Sequence, residues 1–215
     1  MILGIDEAGR GAVIGPLVIA GVVIDSSSEE YLKEEGVRDS KELSESERER
    51  LFNVIKEVAS DIRVVRVTPR EIDMYRSKNK LNLLEAEKMA EIINSCFNVR
   101  KIYIDSPQNN AEKFTEVIKS MCSLENKEVV VEAKADKKYV AVSCASIVAK
   151  VIRDREIEKI RKETGIDVGK GYPSDERTIN SLRIILEKYP QYVRKSWVTV
   201  EKIKQKNLFN FLYGV

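Results

Sequence analysis

Two apolar runs rich in Val and Ile, residues 2–6 and 13–24, open the chain with little more than a glycine turn, Ala8-Gly9-Arg10-Gly11, between them. Both have the make-up of strands, and a link this short cannot hold the crossover that parallel neighbours require. The pair therefore argues for a mixed sheet over an all-parallel one.

Downstream, strand and helix patterns alternate. Ser44 and Glu47 form a capping box that opens a helix to about Ser60, with Leu51, Val54, Ile55 and Val58 on one stripe. A strand follows at Ile62–Val67, and Thr68-Pro69 with Glu71 starts a second helix. Leu83–Phe97 reads as an amphipathic helix, Lys101–Asp105 as a strand, Ala111–Cys122 as a helix and Glu128–Glu132 as a strand. A long helix covers Tyr139–Glu163, Gly165–Pro173 is a glycine-bearing loop, and Ser174 caps the next helix. From Thr178 the tail is helical and basic. The expected architecture is α/β: a mixed sheet flanked by helices, with residues 1–177 as a catalytic domain and 178–215 as a C-terminal helical extension.

The chain has no histidine, which removes Ser-His-Asp and Cys-His catalysis and any zinc site built on imidazole. Cys96, Cys122 and Cys144 are too few for a four-cysteine zinc site and too scattered for a disulfide framework, pointing to the reducing cytoplasm. Any metal must sit on oxygen, which favours Mg2+ or Mn2+. The apolar run Ala12–Ile24 is broken by Gly15, Pro16 and Gly21 and is too short to span a bilayer. The N-terminus has no basic segment of the kind that starts a signal peptide.

Four acids stand near strand ends: Asp6 and Glu7 after the first strand, Asp105 closing IYID, and Asp136 in the KAD segment after VVVEA. Strand ends of an α/β sheet converge on one rim, so these acids can meet. Gathered carboxylates repel unless a cation compensates, and the physical reading is a cage for divalent metal. Taken singly, Asp105 also reads as a turn residue or cap, and Asp136 as a cap of the long helix. The Asp6-Glu7 pair has no such simple reading, because two acids in a buried strand are costly without partners. Neighbouring strand residues face opposite ways, so both reach one metal only if the strand bends after Asp6, which Gly9 and Gly11 permit. The glycines do not form a dinucleotide loop: Ile14 breaks the G-x-G-x-x-G spacing, and no Walker A pattern occurs. They offer close backbone approach to a ligand, with Arg10 available for phosphate.

The ordered blocks GIDEAGRGAVIGPLVIAGV, DSK (39–41), IYIDSP (102–107), KAD (134–136), SCASIVAKVIRD (143–154) and GYPSD (171–175) resemble ribonuclease HII of the archaeal type, from Met1 to about Asp175. Cys144 stands where that pattern leads one to expect a small residue such as Ala. The resemblance implies a ribonuclease H-like fold and endonucleolytic cleavage of RNA paired with DNA, including at single ribonucleotides embedded in duplex DNA. It also implies that Asp6, Glu7, Asp105 and Asp136 are the catalytic metal ligands. Gly9, Arg10, Gly11 and Tyr172 then read the ribose 2′-hydroxyl at the RNA–DNA junction, and Lys41 and Lys150 lie near the substrate. By default, Tyr172 in its Gly-Tyr-Pro turn would be a packing residue.

Phosphodiester hydrolysis needs an activated water, in-line geometry and relief of charge on the leaving oxygen. Two divalent ions about 4 Å apart supply all three, giving a 3′-hydroxyl and a 5′-phosphate. Attack by the ribose 2′-hydroxyl often recruits imidazole, which this chain lacks. Other readings are a different nuclease of the same broad fold, such as a junction resolvase or integrase, and a silent module that only binds hybrids or a clamp.

Between Lys188 and Lys206 lie six basic residues and one acid, Glu201. This is either a solvated helix face or a phosphate-tracking arm, with Trp197 packing it onto the body. Gln205, Leu208, Phe211 and Leu212 resemble the box that docks on a replication sliding clamp, although Leu212 replaces the final aromatic residue. The alternative is an amphipathic helix folded back on the domain. The expected state is a monomer away from membranes.

Overall fold

The computed structural model describes residues 1–106 and 111–213, with side chains described as far as Gln205. Five strands, β1 (Ile2–Ala8), β2 (Leu17–Ile24), β3 (Asp61–Val67), β4 (Lys101–Asp105) and β5 (Glu128–Glu132), form one mixed sheet in the order β3-β2-β1-β4-β5. β1 is central, antiparallel to β2 and parallel to β4, and β4 is parallel to β5. Among the described residues eight α-helices accompany it: α1 (Glu29–Glu34), α2 (Glu45–Val58), α3 (Pro69–Arg76), α4 (Leu81–Ser95), α5 (Ala111–Met121), α6 (Val140–Thr164), α7 (Glu176–Lys188) and α8 (Val198–Tyr213).

Two compact units make up the chain. The first comprises Met1–Ala8, Val18–Arg66 and Asn82–Ile152, and the second Gly9–Leu17, Val67–Leu81 and Arg153–Val215. In the first, Val18, Ala20, Val22 and Ile24 of β2 pack with α2 residues Leu51, Phe52 and Ile55 and with α6 residues such as Cys144 and Val148. Glycine sets the closeness of α6: a Cβ on Gly4 would lie 2.0 Å from the Ala141 carbonyl carbon. The opposite face is served by α4, where a Cβ on Gly21 would fall 2.4 Å from Ile92 Cγ2.

Local sequence signals are realised at several ends. Both capping boxes, Ser44/Glu47 and Thr68/Glu71, are formed, and Pro69 occupies the first turn of α3. Four expectations need correction, the first being the start of β2, which lies at Leu17 and not at residue 13, because Val13, Ile14 and Gly15 give their N–H groups to Gly171 and Tyr192 instead. β1 does not stop at Asp6 but pairs with β2 through Ala8. Asp136 does not cap α6; it lies in a single 3-10 turn, Ala135–Lys137, entered through a left-handed Lys134 with φ 61°. The cap of α7 is Asp175 rather than Ser174, because one Asp175 oxygen accepts the Arg177 N–H at 3.0 Å while the other accepts that of Lys170 at 2.7 Å. A hydroxyl could not hold both as acceptor sites on separate oxygens. The three cysteines are free thiols. Among the described residues no helix is long and apolar enough to cross a membrane.

Candidate active site

The parallel ladder between β1 and β4 ends at Ile5 and Ile104. One residue beyond stand Asp6 and Asp105. Strand alternation gives both the face of Gly4 and Tyr103, the face covered by α6. The third aspartate arrives from the 3-10 turn after β5. There the Asp105 carboxylate accepts the Ala135 N–H at 2.8 Å and so holds that turn against the end of β4. Three separate elements thus converge on Asp6, Asp105 and Asp136.

Their electrostatics record the crowding. Asp6 is 5% exposed. Burial pushes its carboxyl up to about 8, the charges of Asp105 and Asp136 add to the rise, and hydrogen bonds from Ser146 and the Glu7 N–H oppose it. Burial also raises Asp105, countered by the Ala135 N–H and reinforced by Asp136. Asp136 is raised by burial and then by the charge of Asp39, with Lys41 and Lys137 opposing. Its Oδ2 is buried and accepts no hydrogen bond, and Lys41 Nζ stands 3.8 Å away. Desolvation draws Lys41 down, but the charges of Asp136, Asp39, Asp6 and Asp105 outweigh it and raise the ammonium on balance. This places Lys41 at the cluster.

Glu7 is half-buried and still in register with Ile19 of β2, so alternation turns it to the face opposite Asp6. The bend expected after Asp6 is absent from that ladder. As placed, no three acidic or cysteine side chains among the described residues are close enough to hold a metal ion. The chemistry of the donors nevertheless suits a hard divalent cation: carboxylate oxygens, one of which, Asp136 Oδ2, is buried and accepts no hydrogen bond. Lys150 lies partly buried on α6. Three neighbours escaped the sequence reading. Asp39 is 5% exposed, pairs with Lys137 at 3.4 Å and accepts the Lys41 N–H at 3.0 Å. Ser146 touches Asp6 and shares a 2.9 Å hydrogen bond with Ser40. Asp39 and Ser40 lie in the DSK block and Ser146 in SCASIVAKVIRD, so the signal was present but carried no assigned role.

The glycine segment and Tyr172 belong to the second unit. Gly9 has φ +90°, and a Cβ there would lie 2.9 Å from Arg153 Nε and from the Pro16 carbonyl. Gly11 is exposed, and a Cβ on it would meet nothing within 4 Å. The carbonyl of Gly171 accepts the N–H groups of Val13 and Ile14 at 2.8 and 3.1 Å, which ties Tyr172 to the glycine segment. The Arg153 guanidinium lies 5.3 Å from the Tyr172 ring centre. Gln205 is exposed on α8, while the side chains of Leu208, Phe211 and Leu212 lie outside the described residues, as does Pro107 of the IYIDSP block.

The model of the ribonuclease HII family matches residues 3–200. The chain belongs to the ribonuclease HII family. It is a type 2 ribonuclease H, a nuclease of the hydrolase class. A ribonuclease HII of Pyrococcus abyssi is 48% identical over 209 residues, covering 95% of this chain and 92% of that protein. The crystal structure of the ribonuclease H2 from Pyrococcus horikoshii OT3 is 44% identical, with TM-score 0.85 and coverage of 95% and 97% of the two chains. The structure of a PCNA:RNase HII complex from Archaeoglobus fulgidus is 40% identical, with TM-score 0.82 and coverage of 93% and 95%. The mixed sheet and its helices are thus the ribonuclease H-like fold that the motifs imply.

Proposed function

We propose that this ribonuclease HII hydrolyses the RNA strand of RNA/DNA hybrids and cuts at single ribonucleotides within duplex DNA, leaving 5′-phosphate and 3′-hydroxyl ends. The observation that carries the reading is the placing of Asp6 and Asp105 side by side just beyond the β1–β4 ladder, with the Asp105 carboxylate holding the turn that bears Asp136 through the Ala135 N–H at 2.8 Å. In this reading Asp6, Asp105 and Asp136 hold two Mg2+ or Mn2+ ions, and Glu7 joins them on the strength of the family motif alone, since its place in the ladder turns it to the face opposite Asp6. Such ions, when bound, activate water and neutralise the leaving oxygen. Lys41 offers its ammonium to a substrate phosphate, and Lys150 supports the same side. Gly9, Arg10 and Gly11 approach the ribose through backbone, and Tyr172 lays its ring on the sugar. The 2′-hydroxyl then serves recognition, being the group that separates RNA from DNA.

The decisive experiment incubates the protein with a DNA duplex carrying one ribonucleotide, with and without Mg2+ or Mn2+. The expected result is ion-dependent incision with a 3′-hydroxyl. Duplexes left uncut at every ion concentration would overturn the reading, and removal of the ions by chelation should stop incision.

Residues 178–215 form the helical extension in this reading, and Gln205, Leu208, Phe211 and Leu212 dock on a sliding clamp. The PCNA complex of the Archaeoglobus relative supports this partner. Deleting residues 205–215 is expected to abolish clamp binding in a pull-down while the melting temperature stays unchanged. A lowered melting temperature with clamp binding retained would instead assign the segment to packing.

A further inference from the structure

Segment 9–15 is held by its carbonyls. The Arg10 carbonyl accepts Arg194 Nη1 at 2.9 Å, and the Gly15 carbonyl accepts Arg194 Nε at 3.1 Å. Between them, the Val13 carbonyl accepts the backbone N–H of Arg194 at 2.9 Å. The Gly11 carbonyl accepts the Trp197 indole N–H at 3.4 Å, and that of Ile14 accepts Arg153 Nη2 at 3.0 Å. Arg194 is 0% exposed, and its guanidinium lies 5.0 Å from the Trp197 ring centre, with that of Arg76 at 4.3 Å.

A buried guanidinium is a costly device for filling space, since an apolar side chain would fill it more cheaply. What it supplies is a planar fork that ties two carbonyls five residues apart into one rigid piece. With one carbonyl after another turned inward to protein donors, the segment keeps a single shape before any ligand arrives. Exposed Gly11 is left at its tip, where a Cβ would meet nothing.

We infer that Arg194 and the Trp197 indole it lies on are positioning residues for ribose recognition: they fix the backbone of Arg10 and Gly11 in the shape that meets the sugar. Neither touches substrate. Their contribution is preorganisation, so their loss weakens recognition of the ribose more than turnover of bound substrate. The inference rests on the reading of Gly9, Arg10 and Gly11 as the ribose-contacting segment, and the test separates the two.

Two labelled DNA duplexes, identical but for one ribonucleotide or deoxyribonucleotide at the same position, are bound to the full chain in the absence of divalent ions. The ratio of their affinities is the readout. KM and kcat on the ribonucleotide duplex are then measured with Mg2+. Gly11→Ala has room in the fold but places a methyl at the tip, and is expected to cut the affinity ratio about tenfold. Arg194→Lys keeps the charge but cannot span both carbonyls. It is expected to cut the ratio about tenfold, raising KM more than it lowers kcat, with a native circular dichroism spectrum at assay temperature. Trp197→Phe keeps the ring and removes only the donor to Gly11, and is expected to shift the ratio the same way by a smaller factor; it decides the matter if Arg194→Lys fails to fold. An unchanged ratio in Gly11→Ala sinks the ribose-contact reading itself. A collapsed ratio in Gly11→Ala with unchanged ratios in folded Arg194→Lys or Trp197→Phe leaves that reading intact and overturns the positioning role.

Discussion

Replacing Asp105 with Asn is expected to abolish cleavage, by about a thousandfold or more, while leaving hybrid binding intact. The substitution is nearly isosteric. The side-chain carbonyl of Asn can still accept the Ala135 N–H that Asp105 holds at 2.8 Å, so the turn bearing Asp136 stays anchored. What disappears is one negative charge from a cluster whose members already resist ionisation together. The folded protein loses a repulsion and is therefore expected to melt at the same temperature or higher, which separates a chemical defect from a structural one. Single-turnover cleavage, hybrid binding by fluorescence anisotropy and thermal melting are the three measurements. Retained cleavage would remove Asp105 from the chemistry.

The largest effect on stability is expected at a position with no chemical function. In Gly4→Ala the new Cβ would lie 2.0 Å from the Ala141 carbonyl carbon, 2.1 Å from its oxygen and 2.4 Å from the Val142 nitrogen. All three are backbone atoms of α6, so no rotamer change relieves the clash and the helix must move off the sheet. Overpacking of this kind costs about 3 kcal/mol or more, a drop in melting temperature of roughly 6–12 °C for a chain of this size. Because α6 carries Ser146, whose hydroxyl contacts Asp6, surviving folded protein is also expected to lose activity. A melting temperature within 2 °C of the parent chain would show that the packing of α6 on β1 is looser than described.

The parts of the fold written in local chemistry were legible in the sequence. Strands β4 and β5 fall on the residues that alternation assigns, and Ser44 and Thr68 start their helices because each finds a glutamate three residues on. Asp6, Asp105 and Asp136 were nameable because polar residues at the ends of apolar runs have few places to go. The remainder depended on contacts between distant residues, which leave no periodic trace. The extension of β1 to Ala8 is imposed by β2 rather than by its own residues. Asp175 wins the cap from Ser174 because it also serves the Lys170 N–H. Arg194 sits within a run of basic residues that reads as a surface, yet it is fully buried on main-chain carbonyls. Charge counted along the chain cannot separate a solvated lysine from an arginine used as an internal brace.

The order β3-β2-β1-β4-β5 puts the first of the five described strands in the middle of the finished sheet. One edge of β1 can zip to β2 at once, but its other edge waits for Ile2 to meet Lys101. At about 5–20 residues per second that delay is on the order of ten seconds. Until Asp136 has emerged as well, the growing polypeptide carries a half-built acid cluster and a bare strand edge that sticks readily to other chains. Assembly of the acid cluster therefore waits until Asp136 has been made, and products truncated before it are expected to be inert.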